Sequence, residues 1–167
     1  MPATVCIAVL TVVLFTIYVI VLYNKLSVRK NQIKSALSAL SMLFIQRADL
    51  IPNLILILKK HVVLDEEMLQ EILALRNPVN FLNSKESYLQ PEEGSSVLKQ
   101  IILQIEDDSE LKFNRQFSQL KYAFTECEEQ IAVERALLGA SIIKYNNSAV
   151  TFPCKIIAKI FGFTPYV

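Results

Sequence analysis

A carboxylate-bridged metal pair in a helical bundle requires Glu-x-x-His on each of two helices. This chain carries one histidine, His61, and Leu58 stands three residues before it, so the pattern fails even once. His61 reads as a helix-surface residue. The densest acidic group, Glu126, Glu128 and Glu129, is expected to form a solvated face rather than a metal cluster. Cys6, Cys127 and Cys154 are odd in number, far apart and without CxxC spacing. They suit free thiols in a reducing compartment better than a disulfide framework. No Ser or Cys has a His and an acid close in sequence for nucleophilic catalysis. Three isolated glycines, Gly94, Gly139 and Gly162, make no phosphate-cradling loop. The expectation is a protein that is not an enzyme, with no catalytic residue, cofactor or metal.

The remaining charges suit shaping helices. Arg47 and Asp49 stand just before Pro52 and are expected to pair and fix a bend there. Glu128 and Arg135 lie two turns apart, beyond i,i+4 reach, so each should meet a residue on another helix. Buried ionic groups of that kind can set register.

The elements that must position these residues begin with a membrane anchor. Ala3 to Tyr23 holds no charge, glycine or proline. About twenty such residues, at roughly 1.5 Å each in a helix, span the ~30 Å hydrocarbon layer. The run is too long for a signal peptide, and Leu22 to Lys25 offers no small-x-small cleavage site. All seventeen Lys and Arg follow it, starting at Lys25, Arg29, Lys30 and Lys34. Basic residues stay on the cytoplasmic side, so a single-pass protein of the cell membrane is expected, its N-terminus outside and its C-terminal domain cytoplasmic. Net charge is +1, and no basic stripe with interleaved aromatics invites nucleic acid.

Scarce glycine and rare period-2 alternation point to long helices. The expected organisation is an anchor over 1–23, a helical bundle over 24–150 and a short amphipathic tail over 151–167. A first helix should leave the membrane through Leu26, Ile33, Ala36, Leu40, Phe44 and Ala48, kink at Pro52 and resume to Leu64. Asp65 should cap a second helix with Glu66 and Glu67 in its first turn, interrupted at Asn77-Pro78. Val79 to Ser96 reads as a loop or frayed helix, with Ser95 or Ser96 capping a short third helix. Asp108 or Ser109 should cap the fourth, whose Phe113, Phe117, Leu120, Phe124, Cys127 and Ile131 step by four and three. That 3.5-residue repeat marks a packed seam, and it continues through Glu134, Leu138, Ser141 and Tyr145.

Antiparallel packing would bring Tyr145 and Asn146 back towards the membrane, with Asn146 near Asn24 or Asn31. Beyond them, Ile156, Ile157, Ile160 and Phe161 share one helix face and Lys155 and Lys159 another. This tail suits either the headgroup layer or a cap on the bundle.

Several of these residues carry a resemblance. Tyr23, Asn24 and Leu26, then Asn31, then Arg47 to Leu54 (RADLIPNL, with Pro52 and Asn53) resemble the opening signature of the LemA family. Arg76, Leu111-Lys112, Asn114, Phe117 and Leu120, Glu128 with Ile131, Ala132 and Arg135, and Tyr145-Asn146 resemble its later landmarks. So do Phe152-Pro153 and Phe161 to Pro165. The resemblance implies an N-terminal membrane helix followed by an antiparallel four-helix bundle, with some relatives tied to building organelle membranes. Leu37, Ser41 and Leu138-Gly139 depart from the family pattern, as expected of a divergent paralogue. The reading that follows is all-α: a transmembrane helix, then an up-down four-helix bundle acting as scaffold or adaptor. Its partners would be the bilayer and a protein. A membrane-shaping or lipid-binding protein is the alternative, and a carboxylate metalloprotein the third.

Overall fold

The computed structural model describes residues 2–61, 65–76, 93–104 and 114–166. Among them are five helices and no strand: α1 (Pro2–His61), α2 (Glu66–Ala74), α3 (Glu93–Gln104), α4 (Arg115–Val150) and α5 (Cys154–Ile160). The chain divides into two compact units, Met1–Ala36 with Leu138–Val167, and Leu37–Leu137.

Among its described residues, the second unit holds parts of four helices. Ile51, Leu54, Ile55, Ile57 and Leu58 of α1 form one buried cluster with Ile72 of α2, Leu98, Ile101 and Ile102 of α3, and Phe117 and Phe124 of α4. α1 is helical on both sides of Pro52 and through it. An interior proline costs a helix ~3 kcal/mol. Each aliphatic side chain buried beside it contributes ~1.5–3 kcal/mol, and Ile51, Leu54, Ile55 and Leu58 are all in the core. Burial outweighs the missing donor, and Pro52 itself faces outward.

The helix starts follow local chemistry with some differences from expectation. Asp65 stands at the N-cap of α2, but its side chain makes no capping bond; its carbonyl accepts from Leu69 N at 2.9 Å. Ser95 and Ser96 lie inside α3, which begins at Glu93, so neither caps it. Asn114 caps α4, its Oδ1 accepting from Gln116 N at 3.0 Å and Phe117 N at 3.1 Å. The expected caps Asp108 and Ser109, the break at Asn77-Pro78, most of the 79–96 loop and Phe113 all lie outside the described residues. The α4 seam is present: Phe117, Phe124, Cys127, Ile131, Leu138 and Tyr145 are buried.

In the first unit, Leu22 and Leu26 of α1, Ala149 of α4, and Cys154, Ile157 and Ala158 of α5 form a second cluster, joined by Val19 and Phe163. The chain stops α5 with a glycine in the left-handed region, Gly162 at φ +71°. Phe163 N then donates back to Ala158 O at 2.8 Å, and Phe161 N to Ile157 O at 3.0 Å. This is a Schellman-type stop, and it turns Phe163 onto the cluster. Residues 4–18 of α1 are exposed throughout. Among the described residues, α1 is the one helix long and apolar enough to cross a membrane.

Candidate functional site

Arg47 and Glu128 meet in the second unit. Arg47, only 1% exposed, comes from α1, where the i,i+4 row of Leu40, Phe44 and Ala48 directs that side of the helix inward. Its Nη1 lies 3.1 Å from Glu128 Oε1 on α4. The expected Arg47–Asp49 pair is therefore corrected. Residues two apart on a helix face different ways, and Asp49 is exposed while Arg47 is not. The guanidinium also stands over the Phe44 ring at 5.1 Å, and that of Arg135 at 5.6 Å. Because Arg47 meets Glu128 and Phe44 meets Arg135, α1 and α4 run antiparallel here.

Glu128 has two more partners. Its Oε2 accepts a short hydrogen bond from the Ser95 hydroxyl and lies 3.1 Å from Lys99 Nζ. Burial on its own raises the Glu128 pKa, but Ser95, Arg47 and Lys99 together outweigh that and hold it below the ordinary carboxylate value. The acid is a fixed anion. The solvated-face expectation thus needs a correction: Glu126 and Glu129 are exposed, but Glu128 is inside. Next to it, Cys127 Sγ donates to Leu43 O at 3.4 Å. Burial raises the Cys127 pKa; Glu128 and Glu126 add to this and Arg47 opposes it. A thiol held protonated is a poor nucleophile and a poor metal ligand. Among the described residues no three of His, Cys, Asp and Glu are grouped to hold a metal ion.

On the outer side of the same helices runs a shallow groove. Ala39, Met42 and Leu43 of α1 line it with Glu126, Glu129, Gln130, Val133 and Glu134 of α4.

The other family-like polar residues cluster in the first unit. Tyr145, fully buried, donates its hydroxyl to Thr164 O at 3.0 Å. Burial, with Tyr166 nearby, pushes its pKa up, so it stays a neutral donor. Asn146 Nδ2 donates to Tyr166 O at 2.6 Å, and its Oδ1 accepts from Tyr166 N at 2.8 Å. This corrects the expected contact with Asn24 or Asn31, both of which are exposed. The side-chain amide satisfies both backbone groups of one tail residue, a pairing a helix-borne asparagine does not offer. Pro52 and Asn53 are exposed on α1 of the second unit. Among the departures from the family pattern, Ser41 bonds its own helix at Leu37 O (2.9 Å), Leu37 and Gly139 are half-buried and Leu138 is buried.

Lys99 joins the site without having been singled out, while Ser95 was expected only as a helix cap and Phe44 only on the inward row of the first helix. Ser95 and Lys99 are four apart beside Leu98 and Ile102, so a polar pair on a buried face was the signal available. The tail carbonyls left none, being backbone.

The model of the LemA family matches residues 30–167 of the chain. Among curated proteins, none matches it.

Proposed function

The chain belongs to the LemA family, and from that premise we propose that it is a membrane-anchored scaffold, not an enzyme. Its second unit seats a basic, apolar helix from a protein partner. The observation that carries this reading is the groove on the second unit, which exposed Met42 and Val133 line with the carboxylates of Glu126, Glu129 and Glu134. An amphipathic helix with basic flanks would bury the apolar residues and complement the carboxylates. Across the same helices, both carboxylate oxygens of Glu128 are engaged, by Arg47, Ser95 and Lys99. That leaves a structural lock rather than a reactive group.

Anchoring rests on α1: its mean hydropathy of 3.0 in the best window and its exposed apolar residues suit a lipid environment. The basic flank from Lys25 favours a cytoplasmic second unit. Because Cys127 and Cys154 are buried and Cys6 lies in the apolar run, orientation is best read with an introduced cysteine. Tyr122→Cys on the Cys-free chain should resist impermeant thiol reagents in intact cells and label after lysis; labelling in intact cells reverses the orientation.

The scaffold reading is tested by a photoreactive residue at Met42 and at Val133, in cells. A discrete crosslinked protein at both positions, lost on reversing Glu126, Glu129 and Glu134 to lysine, is the expected result. No crosslink at either position, or crosslinks indifferent to the reversal, rejects the groove.

A further inference from the structure

We propose that the tail forms a collar in the lipid headgroup layer at the point where α1 leaves the bilayer. Its outer face is Phe152, Ile156 and Ile160, flanked by Lys155 and Lys159. The proposal rests on α1 being the membrane anchor.

The first support is that α5 has two apolar sides. One is consumed: Cys154, Ile157 and Ala158 are buried against Leu22 and Leu26. This separates Ile157 from Ile156 and Ile160, which the sequence pattern placed with it on one face. The other side is exposed among the described residues. Ile156 is 53% exposed and Ile160 69%, four apart on α5 so that they form one ridge, and Phe152, in the turn before α5, is 82% exposed. Lys155 and Lys159, again four apart, are exposed alongside it. Capping the bundle accounts for the buried side alone.

The second support is depth. The Tyr23 ring meets Phe161 at 5.1 Å and Phe163 at 5.5 Å, both edge-on. Lys30 Nζ stands 5.4 Å from the Phe163 ring centre. Tyr23 closes the apolar run and Lys25 is the first charge after it. The tail is therefore fastened to the residues at which hydrocarbon must give way to water. Aromatic rings favour that layer, a basic amphipathic segment lies in it with its apolar side sunk by ~5–10 Å, and the two lysines can reach lipid phosphates. A soluble partner would explain the ridge but not its level.

The chain has no tryptophan, so a single introduced one reports alone. Four variants of the full chain are reconstituted in phosphatidylcholine–phosphatidylglycerol vesicles, with and without acyl-brominated lipid: Ile156→Trp, Ile160→Trp, Phe15→Trp within the span, and Tyr122→Trp on the second unit. Ile156→Trp and Ile160→Trp should show blue-shifted emission and lose intensity to the brominated lipid, as Phe15→Trp does. Tyr122→Trp should show neither change. If Phe15→Trp is quenched and the two tail positions match Tyr122→Trp, the collar is overturned and the anchor stands. Tail positions that are blue-shifted yet unquenched are covered by protein, which also overturns it. If Phe15→Trp itself escapes quenching, the anchor reading fails and the collar with it.

Discussion

The two units fasten their elements to α4 with different polar contacts. In the second, a carboxylate and a guanidinium are buried together with a serine, and the half-exposed Lys99 reaches the same carboxylate. In the first, the polar contacts are neutral or end on backbone: Tyr145 to Thr164 O, Asn146 to both groups of Tyr166, and Arg29 Nη1 to Lys144 O at 2.7 Å. The lesson is that one helix can be fastened in two chemically distinct ways along its length. A buried ion pair fixes register strongly but leaves a heavy penalty when halved. Side-chain to backbone bonds are individually weak, and they degrade one at a time.

The sharpest way to break the contrast is to halve the ion pair. Glu128→Leu leaves Arg47 buried and should lower stability by ~3–5 kcal/mol, while Arg47→Met with Glu128→Leu should recover most of that loss. Thermal unfolding of the detergent-solubilised full chain reads both. A loss in the double variant equal to the sum of the Glu128→Leu and Arg47→Met losses would mean that the pair is not coupled.

Phe124→Ala, in the same core, should cost a comparable ~3–5 kcal/mol by cavity formation. It should do so without changing the dependence on pH. Wild-type melting temperature in this variant would refute the seam.

A smaller effect comes from acid. Glu128 has its folded pKa depressed, so the stability it adds is full above its ordinary unfolded value and is lost as pH falls through the lower folded value. Wild type and Glu128→Gln should therefore differ by a constant amount near neutrality, and the gap should close as pH drops below ~4.3. A gap that persists at low pH removes the carboxylate from the account.

The smallest effect is in the first unit. Tyr145→Phe deletes one neutral hydrogen bond and should cost ~0.5–1.5 kcal/mol. The loss should be independent of pH across the acid range. If Tyr145→Phe instead matches Glu128→Leu, the distinction between the units collapses.

Much of the architecture was legible in the sequence because it follows from periodicity. The seam from Phe117 to Tyr145 and the inward row Leu26, Ile33, Leu40 and Phe44 are buried as their spacing demands. At Pro52 the sequence shows the missing donor but not the long-range burial of Ile51, Leu54 and Leu58 that offsets it. Arg47 misled for a related reason. Its nearest acid in sequence, Asp49, is on another side of the helix, and its actual partner is 81 residues away. The Asn146–Tyr166 pairing was illegible because one half of it is main chain, which has the same donors and acceptors at nearly every residue.

Gly162 shows how much of the tail depends on handedness. At φ +71° its backbone is in the mirror-image basin, which an L-residue enters only at a cost of ~1–2 kcal/mol. A β-carbon there would meet nothing within 4 Å, so space is not what keeps the position open. The constraint is chirality: Phe163 returns to Tyr23 because one achiral residue lets the chain turn left. A D-amino acid at 162 would fit where its L-twin is strained, and the return of the tail is in that sense a question of mirror symmetry rather than of size.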